Sequence, residues 1–583
     1  MKKLLGILFV FFAGMLISCA QIEDKTVNFS NSPVLTLSWD QSELKFVYSF
    51  EHSEPRADYY DVYWRTGRRS LNEILGGTKI GKSSRNGTIE TPSQITIVSV
   101  VVAANKGGYS KAYSEVRQAE KDTGPPIDPP YTPSVVQAKS AKRGVGYNFT
   151  TLNKNNTNNG THAARDIDLL MSGTSGICWF YNWGSNPIPV VETAARSRNL
   201  EFCPMIWGGG AINEENYRTF AQNNPQTEYI LTYNEPNFYS QANLTPAQAA
   251  DLWPTLKSLA NELNLKIVSP AMNFGPMMGP VQWLDQFFAQ PGVSLNDVSA
   301  IAVHTYPWYP SAVKGLLDDY RKYNKKLWLT EFCGWEDLGG RTPSYELQAW
   351  YMSMIILYLE MDPLVERYAW YLPKGHVAAN APPIGPPPKY DVNPFHNLLT
   401  EVNITTNPQL TDLGLIYVNI PSLDRSVWYA AGEKIDASQI MNCNLADCIG
   451  ISGSWSDTVL FRPVTDTDKS AGVLEIHEFK NNMWVEYQVE APESRVFNLS
   501  MRYKAPPLNN GTPNANNTMR IYVDGTLVTS AGQIAANGNL VLPTTDWTTA
   551  ANIPLNLSAG QRTIRLFVTG ANSNFALNWL MLE

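Results

Sequence analysis

The sequence predicts a multidomain protein in which a (β/α)8 barrel is flanked by an N-terminal and a C-terminal β-sandwich. Three observations predict this architecture. The chain has 583 residues, which is too long for one ordinary domain. Residues 122–133 are rich in proline, which is typical of an extended, semi-rigid linker between domains. After this segment, apolar strand-like runs alternate with helix-like runs to about residue 425, and strand-like runs alone follow.

The first segment resembles a sorting signal. Lys2 and Lys3 precede an apolar run over residues 4–17, which is shorter than the ~20 residues of a membrane-spanning helix. The run ends in Leu-Ile-Ser-Cys at residues 16–19, which resembles the lipobox of bacterial lipoproteins. We therefore predict a lipoprotein signal peptide over residues 1–19 and lipidation of Cys19. The chain would then be anchored at the bacterial cell envelope, on the outer membrane and either periplasmic or surface-exposed. An ordinary secretory signal is the alternative.

Residues 20–121 are predicted to form a small β-sandwich. Strand-like runs at residues 34–39, 59–64 and 95–104 are separated by turn signals such as Gly107-Gly108. Trp39, the aromatic run at residues 59–63 and the segment at residues 102–110 resemble a fibronectin type III or related immunoglobulin-like domain. The resemblance implies a spacer, and residues 122–138 are predicted to link it to the barrel.

The barrel is predicted over residues 139–427. Its eight candidate strands lie at residues 144–149, 176–183, 200–207, 229–234, 266–273, 300–306, 326–330 and 367–372. A helix is predicted to begin after Thr245, because Pro246 suits the first helical position and Gln248 completes a capping box. Eight strand–helix units in a segment of this length fit a TIM barrel.

The predicted strand ends are rich in aromatic and amide side chains. They include Tyr147, Trp179, Trp207, Asn234, Asn273, His304, Tyr306, Trp335, Trp370 and Tyr371. In such a barrel the carboxyl ends of all strands meet on one face, where the active site lies. Aromatic rings stack on the apolar faces of sugar rings, while amides and hydroxyls bind sugar hydroxyls. A single aromatic residue is more often part of the core, but the shared composition of so many strand ends predicts a sugar-binding cleft.

Two glutamates occupy matching positions at the ends of two predicted strands. Glu235 follows the run at residues 229–234, and Glu331 follows the run at residues 326–330. Cleavage of a glycosidic bond needs such a pair: one carboxylic acid protonates the leaving oxygen, and the other carboxylate attacks the anomeric carbon or activates water. A lone glutamate at a strand end more often caps the strand or pairs with a lysine. The matched pair predicts catalysis without a cofactor.

Six motifs around these residues resemble glycoside hydrolase family 128, a group of retaining β-1,3-glucanases with a TIM-barrel fold. They lie at residues 142–148, 179–183, 202–207, 233–237, 302–306 and 328–332. The resemblance covers residues 140–420 and implies that Glu235 is the acid/base and Glu331 the nucleophile. It further implies that the substrate subsites are lined by Asn234, Tyr306, Trp207 and Trp370. From the strand ends we add Trp179, His304, Trp335 and Tyr147. The glycine-rich turn after Trp207 departs from the family's pattern and leaves the substrate preference open.

Residues 428–583 are predicted to form a jelly-roll β-sandwich, because strand-like runs such as residues 483–489 and 563–568 are separated by turns. Residues 432–436, 484–489, 501–503 and 575–580 resemble a family 6 carbohydrate-binding module, which implies that Trp547 contacts sugar. Ala576 and Ala550 stand where that family has an asparagine and a second aromatic residue. Asp436-Ala-Ser438 replaces the Glu-x-Glu of its structural calcium site. Sugar binding and a calcium ion both stay open.

The composition argues against other classes of protein. The formal net charge is −8, and a chain without a Lys/Arg cluster is not typical of nucleic-acid binding. The sequence contains no HExxH motif and no CxxC pair, so we predict no metal and no cofactor. The expected partners are a β-glucan polysaccharide or oligosaccharide and a membrane reached through Cys19. We expect a monomer.

Two alternatives to a β-1,3-glucanase stay open. The chain could be a non-catalytic, glycan-binding surface lipoprotein, or it could hydrolyse another β-glycan such as a mixed-linkage glucan or an algal galactan. The presence of both glutamates favours hydrolysis, because a pure binding protein has little need for them. Loop residues decide the substrate, and loops are the part of a fold that a single sequence predicts least well.

Overall fold

The computed structural model describes residues 32–120 and 139–583 with several gaps. The gaps lie at residues 41–44, 53–56, 67–70, 76, 82, 90–96, 107–108, 150–158, 211, 308–309, 337–344, 375–393, 401–407, 445–459 and 509–510. The predicted signal peptide with Cys19 and the predicted linker lie outside the described residues. The chain divides into two compact units, Met1–Asp128 and Pro129–Glu583. Within the described ranges, no helix is both long and apolar enough to cross a membrane.

The first unit consists of two antiparallel sheets and a short helix, Leu71–Leu75. Its strands are β1 (Val34–Asp40), β2 (Lys45–Glu51), β3 (Tyr59–Thr66), β4 (Thr78–Ile80), β5 (Asn86–Ile89), β6 (Ile97–Lys106), β7 (Tyr109–Tyr113) and β8 (Arg117–Glu120). One sheet has the order β1-β2-β5 and the other the order β4-β3-β6-β7, with β8 also paired to β6. Alternate residues of β2 and β6, such as Phe46, Phe50, Val100 and Val102, face one shared core. The expectation that this unit is related to immunoglobulin-like domains stays a prediction.

The second unit begins with a parallel sheet of nine strands. They are β9 (Arg143–Gly146), β10 (Trp179–Tyr181), β11 (Glu201–Phe202), β12 (Met205–Ile206), β13 (Tyr229–Asn234), β14 (Lys266–Ala271), β15 (Val298–Pro307), β16 (Lys326–Glu336) and β17 (Val365–Trp370). Each of the eight strand-like runs predicted from the sequence overlaps at least one of them. Their spatial order is β11-β10-β9-β17-β16-β15-β14-β13-β12.

The first and last strands of this order are two halves of one run of chain. Only Cys203 and Pro204 separate β11 from β12. Cys203 N donates to Phe180 O at 2.9 Å on one side, and Pro204 O accepts from Leu231 N at 2.8 Å on the other. The hydrogen-bonded ladder therefore curls round and returns to the run on which it started. The carboxyl ends of its parallel strands lie on one face.

Helices follow the parallel strands along the chain. Among the described residues they span Asn159–Leu170, Pro189–Arg196, Glu214–Asn223, Pro246–Glu262, Pro280–Phe288, Pro310–Tyr320, Tyr345–Met361 and Asp412–Asn419. The helix predicted after Thr245 is confirmed, because the side chain of Thr245 accepts from Gln248 N and the side chain of Gln248 accepts from Thr245 N. Parallel neighbours need such crossover connections, which explains the alternating pattern of the sequence.

Small residues inside the parallel sheet make room for two tryptophans. The rings of Trp179 and Trp328 lie 5.3 Å apart in the interior, beside Ala300 and Ala302. A Cβ atom on Gly144 would lie 2.5 Å from the indole of Trp179, so the strand beside that ring has no space for a side chain. Side chains thus fill the interior at the amino-terminal ends of the parallel strands. An opening for a ligand is left at their carboxyl ends.

The rest of the second unit is a β-sandwich. Its strands are β18 (Tyr429–Ala430), β19 (Lys434–Asp436), β20 (Asn442–Cys443), β21 (Leu460–Pro463), β22 (Leu474–Lys480), β23 (Trp484–Ala491), β24 (Arg495–Lys504), β25 (Thr518–Val523), β26 (Thr526–Leu527), β27 (Leu540–Val541), β28 (Thr548–Leu557), β29 (Gly560–Val568) and β30 (Asn574–Leu582). One sheet has the order β18-β23-β29-β25-β26, and the other has the order β21-β22-β30-β24-β28. Tyr487 and Leu566 of the first sheet share a core with Leu499 and Leu580 of the second.

The helix Tyr345–Met361 lies between the parallel sheet and this sandwich. It contacts β16 and β17 as well as β21. Its buried side chains include Met352, Ile355, Ile356 and Leu359. Ser353 Oγ accepts a hydrogen bond from Phe461 N of β21 at 3.2 Å. Because the helix is covered from both sides, its sequence is apolar almost all round, as expected of a fully enclosed helix.

Arg143 ties the parallel sheet to the helices around it. Its guanidinium is fully buried and donates to the carbonyl oxygens of Ser175, Tyr417 and Ile420 and to Glu360. We expect Arg143→Met to lower the free energy of unfolding by about 3–5 kcal/mol, because Glu360 would keep a buried charge without its partner. Urea unfolding followed by tryptophan fluorescence measures this loss.

The matched control is Arg198→Met. Arg198 pairs with Asp168, but the two side chains are 28% and 59% exposed. Exposed ion pairs contribute at most about 1 kcal/mol. Equal losses of stability in the two variants would contradict the role given to Arg143.

Candidate active site

Glu235 stands where the chain leaves β13. Its φ is 46°, in the left-handed region that non-glycine residues adopt at a cost of about 1–3 kcal/mol and mostly at functional sites. Glu235 N is held by Ala271 O at 2.9 Å. The side chain is 8% exposed, and its Oε1 accepts from Asn273 Nδ2 at 2.9 Å. The turn therefore directs the carboxyl group towards the end of β14 and fixes it there.

Glu331 lies inside β16 with its side chain buried. Its Oε1 accepts from the hydroxyl of Tyr181 at 2.9 Å and from the indole Nε1 of Trp183 at 2.7 Å. Its Oε2 accepts from the hydroxyl of Tyr306. Donors that point at both oxygens favour the ionised carboxylate, which can only accept hydrogen bonds. These hydrogen bonds therefore stabilise the ionised form of Glu331 and fix the orientation of its carboxyl group.

His304 of β15 lies between the two glutamates. Its Nδ1 is 2.8 Å from Glu235 Oε1 and 3.4 Å from Glu331 Oε2. The imidazole is fully enclosed, with a side-chain exposure of 0%. One carboxylate oxygen of each glutamate and a ring nitrogen of His304 all lie within 4.8 Å of one another. The fold therefore brings together both predicted catalytic residues and one predicted substrate-binding residue.

The charges of these three groups influence one another. Burial raises the pKa of Glu331, and the charge of Glu235 adds to this, while His304, Tyr306 and Trp183 act in the opposite direction. Burial lowers the pKa of His304, but the charges of Glu331 and Glu235 outweigh it, and the pKa is raised above its usual value. The site therefore pairs a glutamate that ionises at an unusually high pH with an imidazole that keeps its proton to an unusually high pH.

We expect His304→Gln to move the acidic limb of the pH–activity profile to higher pH. The charged imidazole lowers the pKa of Glu331. Without it, Glu331 is protonated at a higher pH as the pH falls, and activity is lost earlier. The measurement is kcat/KM for glycan hydrolysis between about pH 4 and pH 8.

His477→Gln serves as the control for this pH shift. His477 lies in β22 of the C-terminal sandwich, and burial lowers its pKa to about 4. Its replacement should leave the acidic limb in place. An unchanged limb in His304→Gln would show that the imidazole does not set the ionisation of Glu331.

Glu235, His304 and Glu331 also meet the geometric minimum for a metal site. However, O–H and N–H donors already point at both oxygens of Glu331. A cation at this position would face donor hydrogens instead of further lone pairs. The donor set fits proton transfer better than it fits a cation. The expectation of no metal stays a prediction.

Asn234 borders the glutamates and offers a free acceptor. Its Nδ2 donates to Gln241 Oε1 at 3.1 Å. Its Oδ1 is buried and, among the described residues, has no hydrogen-bond partner. A buried acceptor without a partner is costly. A sugar hydroxyl would satisfy it, as the predicted role of Asn234 requires.

Trp207 follows β12 and is 40% exposed. It lines a cavity of about 620 Å³ together with Ser185, Asn213 and Asn216. The glycine-rich turn after Trp207 forms part of the wall, and a Cβ atom on Gly208 would lie 3.3 Å from Ala242. A cavity of this size is in the range of small-ligand sites. The turn that departs from the family's pattern therefore shapes the space beside Trp207.

The structure does not place Trp370 at the cleft. Trp370 has no exposed surface, and its Nε1 donates to His396 O at 2.8 Å between the sheet and the surrounding helices. Neighbours along a strand point to opposite sides, so the next residue takes the other direction. Tyr371 packs on Trp183 at 5.8 Å and on Tyr306 at 5.6 Å, beside Glu331. The aromatic contact on this strand is thus offset by one residue from the predicted one.

Trp179 and Tyr147 are also buried. Trp179 has 0% exposure and points into the sheet's interior, as Tyr181 does. It precedes Tyr181 by two residues, which puts it about 6.6 Å further from the strand end. Tyr147 is 7% exposed and packs on Phe149 at 4.9 Å. Trp179 is therefore a packing residue, and Tyr147 has little surface to offer a ligand.

Three residues that contact the glutamates are not among those predicted to bind substrate: Tyr181, Trp183 and Asn273. All three stand at or just after strand ends rich in aromatic and amide residues. That composition is a signal, but it does not tell which of several adjacent aromatics faces a carboxylate. Trp183 lies two residues beyond the end of β10 with a φ of 62°, so a turn and not the strand itself places its indole against Glu331.

The remaining predicted residues lie elsewhere. Trp335 belongs to β16, but its side chain lies outside the described residues. Trp547 is half-buried just before β28 in the C-terminal sandwich. Asp436 stands where the sequence resemblance to family 6 carbohydrate-binding modules would place a calcium ligand. It is buried, and its Oδ1 accepts from Ser438 N at 2.8 Å. Burial raises the pKa of Asp436 to about 7. This carboxyl group already accepts a backbone hydrogen bond, and calcium prefers several charged oxygen ligands, so a calcium ion at this position stays an open prediction.

Residues 144–383 match the protein family described as glycosyl hydrolase catalytic core. The matched segment contains Glu235, Glu331 and His304. This part of the chain therefore carries a glycosyl hydrolase catalytic core. A curated relative is Alkali-sensitive linkage protein 1 of Schizosaccharomyces pombe, which is 25% identical over 216 residues, or 35% of this chain and 36% of that protein. The chain thus spans about a third of the length of this relative.

Solved structures of glycoside hydrolase family 128 are similar to about half of this chain. A subgroup II endo-β-1,3-glucanase from Pseudomonas viridiflava is 30% identical over 48% of this chain and 98% of its own, with a TM-score of 0.39. A subgroup I endo-β-1,3-glucanase from Amycolatopsis mediterranei, in complex with laminaritriose, is 25% identical over 48% and 98%, with a TM-score of 0.34. A subgroup VII oligosaccharide-binding protein from Cryptococcus neoformans is 19% identical over 49% and 97%, with a TM-score of 0.32.

Proposed function

We propose that this protein is a retaining β-1,3-glucanase of glycoside hydrolase family 128. In this proposal Glu235 is the general acid and base, and Glu331 is the nucleophile. The curled parallel sheet of β9 to β17 is interpreted as a closed (β/α)8 barrel in which β11 and β12 together form the third strand. The cleft lies at the carboxyl ends of the strands, as in other enzymes built on this fold.

The observation that carries this proposal is the short separation of the two carboxylates. Oxygens of Glu235 and Glu331 lie within 4.8 Å of each other. Retaining glycosidases hold their carboxyl groups about 5–5.5 Å apart, while inverting enzymes leave about 6.5–9.5 Å for a water molecule. The separation at this site agrees with the spacing of retaining enzymes and is shorter than that of inverting enzymes. Hydrolysis by double displacement is therefore favoured.

The surroundings of the two groups support different roles for them. Glu331 receives hydrogen bonds from Tyr181, Trp183 and Tyr306, which favour its ionised form against the effect of burial and fix the direction of the carboxyl group. Glu235 receives its bonds from Asn273 and His304 on one oxygen, Oε1. Its second oxygen can then carry the proton that goes to the leaving group.

The reaction then follows in two displacements. Glu331 attacks the anomeric carbon and forms a glycosyl ester, while Glu235 gives its proton to the departing glycosidic oxygen. Water next attacks the same carbon, Glu235 takes the proton from that water, and Glu331 leaves as a carboxylate. Two inversions give net retention, and each glutamate ends in the state in which it began.

The proposal of a β-1,3 linkage rests on the resemblance of the six motifs to family 128.

Three further proposals concern the parts of the chain outside the barrel. We propose that Cys19 carries a lipid that anchors the protein to the bacterial envelope, that residues 20–121 act as a spacer, and that residues 428–583 resemble a carbohydrate-binding module. Detergent partitioning of the protein made with and without Cys19→Ser tests the anchor.

Product analysis tests the proposed activity. Residues 20–583 are incubated with linear β-1,3-glucan, mixed-linkage glucan and agarose, with Glu331→Gln protein as the blank. Soluble β-1,3-linked oligosaccharides from the first substrate are the expected result, and their lengths distinguish endo from exo action. Products from another substrate alone would replace the linkage. No product from any of them, together with retention on a glucan gel, would favour a glycan-binding protein instead.

A further inference from the structure

Exposed aromatic side chains cluster beside Glu235. Among the described residues, Trp207, Tyr239 and Phe274 are 40%, 68% and 56% exposed. They follow β12, β13 and β14, which are adjacent in the parallel sheet. Single exposed apolar side chains are normal on a protein surface, whereas several of them together often mark a binding site. Trp207 lines the cavity beside the glycine-rich turn. Tyr239 and Phe274, with the half-buried Phe238 that precedes Tyr239 in the chain and packs on Phe274, form a separate group that we call the aromatic platform.

The platform is attached directly to the catalytic acid. Phe238 N donates to Glu235 O at 3.0 Å, so Phe238 and Tyr239 belong to the turn that Glu235 begins. On the neighbouring loop, Asn273 Nδ2 donates to Glu235 Oε1 at 2.9 Å, and Phe274 is the next residue. Phe238 and Tyr239 are therefore three and four residues after Glu235, and Phe274 directly follows a residue that hydrogen-bonds Glu235.

The two loops are fixed to each other. Asn237 is fully buried, and its Nδ2 donates to Asn273 O at 2.6 Å and to Met278 O at 3.1 Å. A Cβ atom on Gly275 would lie 2.3 Å from the amide of Asn237, so the loops approach as closely as the chain allows. Phe238 and Phe274 pack edge to face, with ring centroids 5.5 Å apart. Edge contact covers only part of these rings, and a rigid open ring binds a partner with little loss of entropy.

The surroundings of Glu331 decide which part of a glycan can reach the platform. Tyr181, Trp183 and Tyr306 bind the carboxylate, and Tyr371 packs on Trp183 and Tyr306. The sugar whose anomeric carbon Glu331 attacks must lie among these rings. The sugar that departs is bonded to the oxygen that Glu235 protonates, so it lies on the side of Glu235 and of the loops that carry Tyr239 and Phe274.

We propose that Phe274 and Tyr239, supported by Phe238, form a binding site for the leaving-group portion of a β-glucan chain. The flat rings would stack on the apolar faces of one or two glucosyl units beyond the cleaved bond. This inference rests on the proposed glycosidase activity. It adds that the protein gains binding energy from sugars on the leaving side, and that it prefers oligosaccharide and polymer over substrates without such sugars.

Three variants and two kinds of substrate test the platform. The variants are Phe274→Leu, which keeps apolar volume but removes the flat ring, Phe274→Tyr, which keeps the ring, and Tyr239→Ala. The substrates are laminarihexaose, whose leaving group is a sugar chain, and laminaribiosyl fluoride, whose leaving group is fluoride. For Phe274→Leu we expect kcat/KM on the hexaose to fall about tenfold, the equivalent of about 1.4 kcal/mol, and kcat/KM on the fluoride to stay unchanged. Phe274→Tyr should keep both values, and Tyr239→Ala should resemble Phe274→Leu.

Val496→Ala is the control for removal of an exposed apolar side chain. Val496 is 55% exposed and lies in β24 of the C-terminal sandwich, away from the cleft. Wild-type activity of Phe274→Leu on the hexaose would overturn the platform. Equal losses on both substrates would also overturn it, because they would show that Phe274 supports Glu235 and does not bind the leaving sugar.

The failure of the proposed function is a separate outcome. If the wild-type chain cleaves neither substrate, calorimetry with intact laminarihexaose replaces kinetics. Weaker binding by Phe274→Leu than by Phe274→Tyr would then support the platform in a binding protein. Equal affinities of these two variants would overturn it.

Discussion

Glu331→Gln should reduce turnover of β-1,3-glucan by at least about 10⁴-fold, as removal of a catalytic nucleophile typically does. An amide is too weak a nucleophile to attack the anomeric carbon, so the first displacement fails. The glutamine has the shape of the glutamate and its oxygen can still accept from Tyr181 and Trp183, so the affinity for glycan should change little. Reducing-sugar assays measure the loss, and calorimetry with laminarihexaose measures the affinity.

Glu366→Gln is a closely matched control for this variant. Glu366 lies in β17 and accepts from the indole Nε1 of Trp328 at 2.8 Å, just as Glu331 accepts from that of Trp183 at 2.7 Å. Glu366 stands far from the carboxyl end of its strand. Its replacement should leave kcat near the wild-type value. Unchanged turnover in Glu331→Gln would remove this residue from the mechanism.

Glu235→Gln should separate the roles of the two glutamates. Loss of a general acid and base costs about 10²–10⁴-fold in rate on a sugar leaving group. Fluoride departs without a proton, so the first displacement on laminaribiosyl fluoride should survive, and the glycosyl ester on Glu331 should accumulate. Mass spectrometry of the intact protein detects this ester. Added azide needs no base, so it should release the ester as a glycosyl azide.

The variant for comparison is Glu331→Gln with the same fluoride and azide. It lacks the nucleophile, so neither an ester nor a glycosyl azide of retained configuration should appear. If Glu235→Gln loses activity on laminaribiosyl fluoride as completely as on glucan, with no ester formed, Glu235 does more than transfer protons. The assignment of roles would then have to be reversed or abandoned.

Much of the second unit could be predicted, because side chains that can act in catalysis stand at the ends of its predicted strands. The runs before Glu235 and Glu331 are apolar, and parallel strands place their carboxyl ends on one face, so two glutamates far apart in sequence were expected to meet. The structure brings their oxygens within 4.8 Å. His304 and Tyr306 were accessible in the same way, since both stand near the end of β15.

Some predicted side chains do not face the cleft, because the composition of a strand end does not determine the direction or the depth of each side chain. Trp370 and Tyr371 are adjacent aromatics, and alternation along the strand lets only one of them face Glu331. Nothing in the sequence fixes which one. Trp179 and Tyr181 point the same way, and only their depth in the sheet separates a packing residue from a ligand of Glu331. Backbone turns such as that at Trp183 are set by contacts between distant segments, which local patterns do not contain.

The C-terminal sandwich was predicted as a set of strands and turns, but its union with the rest of the chain was not. The sequence of the helix Tyr345–Met361 is strongly apolar. Either the parallel sheet or another domain could cover such a helix. Here it has both, because β16 and β17 contact it from one side and β21 from the other. The choice of partner depends on shape complementarity across segments more than a hundred residues apart.

That enclosed helix limits how genes for such proteins can recombine. A breakpoint near residue 427 would part Ser353 and its neighbours from β21, and the exposed apolar surface would favour aggregation. The hydrolase-like segment thus cannot be joined to another domain without loss of its contacts with the C-terminal sandwich. In lineages that shuffle catalytic and appended modules, it and the C-terminal sandwich should be inherited as one block, and exchange should occur instead at the proline-rich stretch before residue 139.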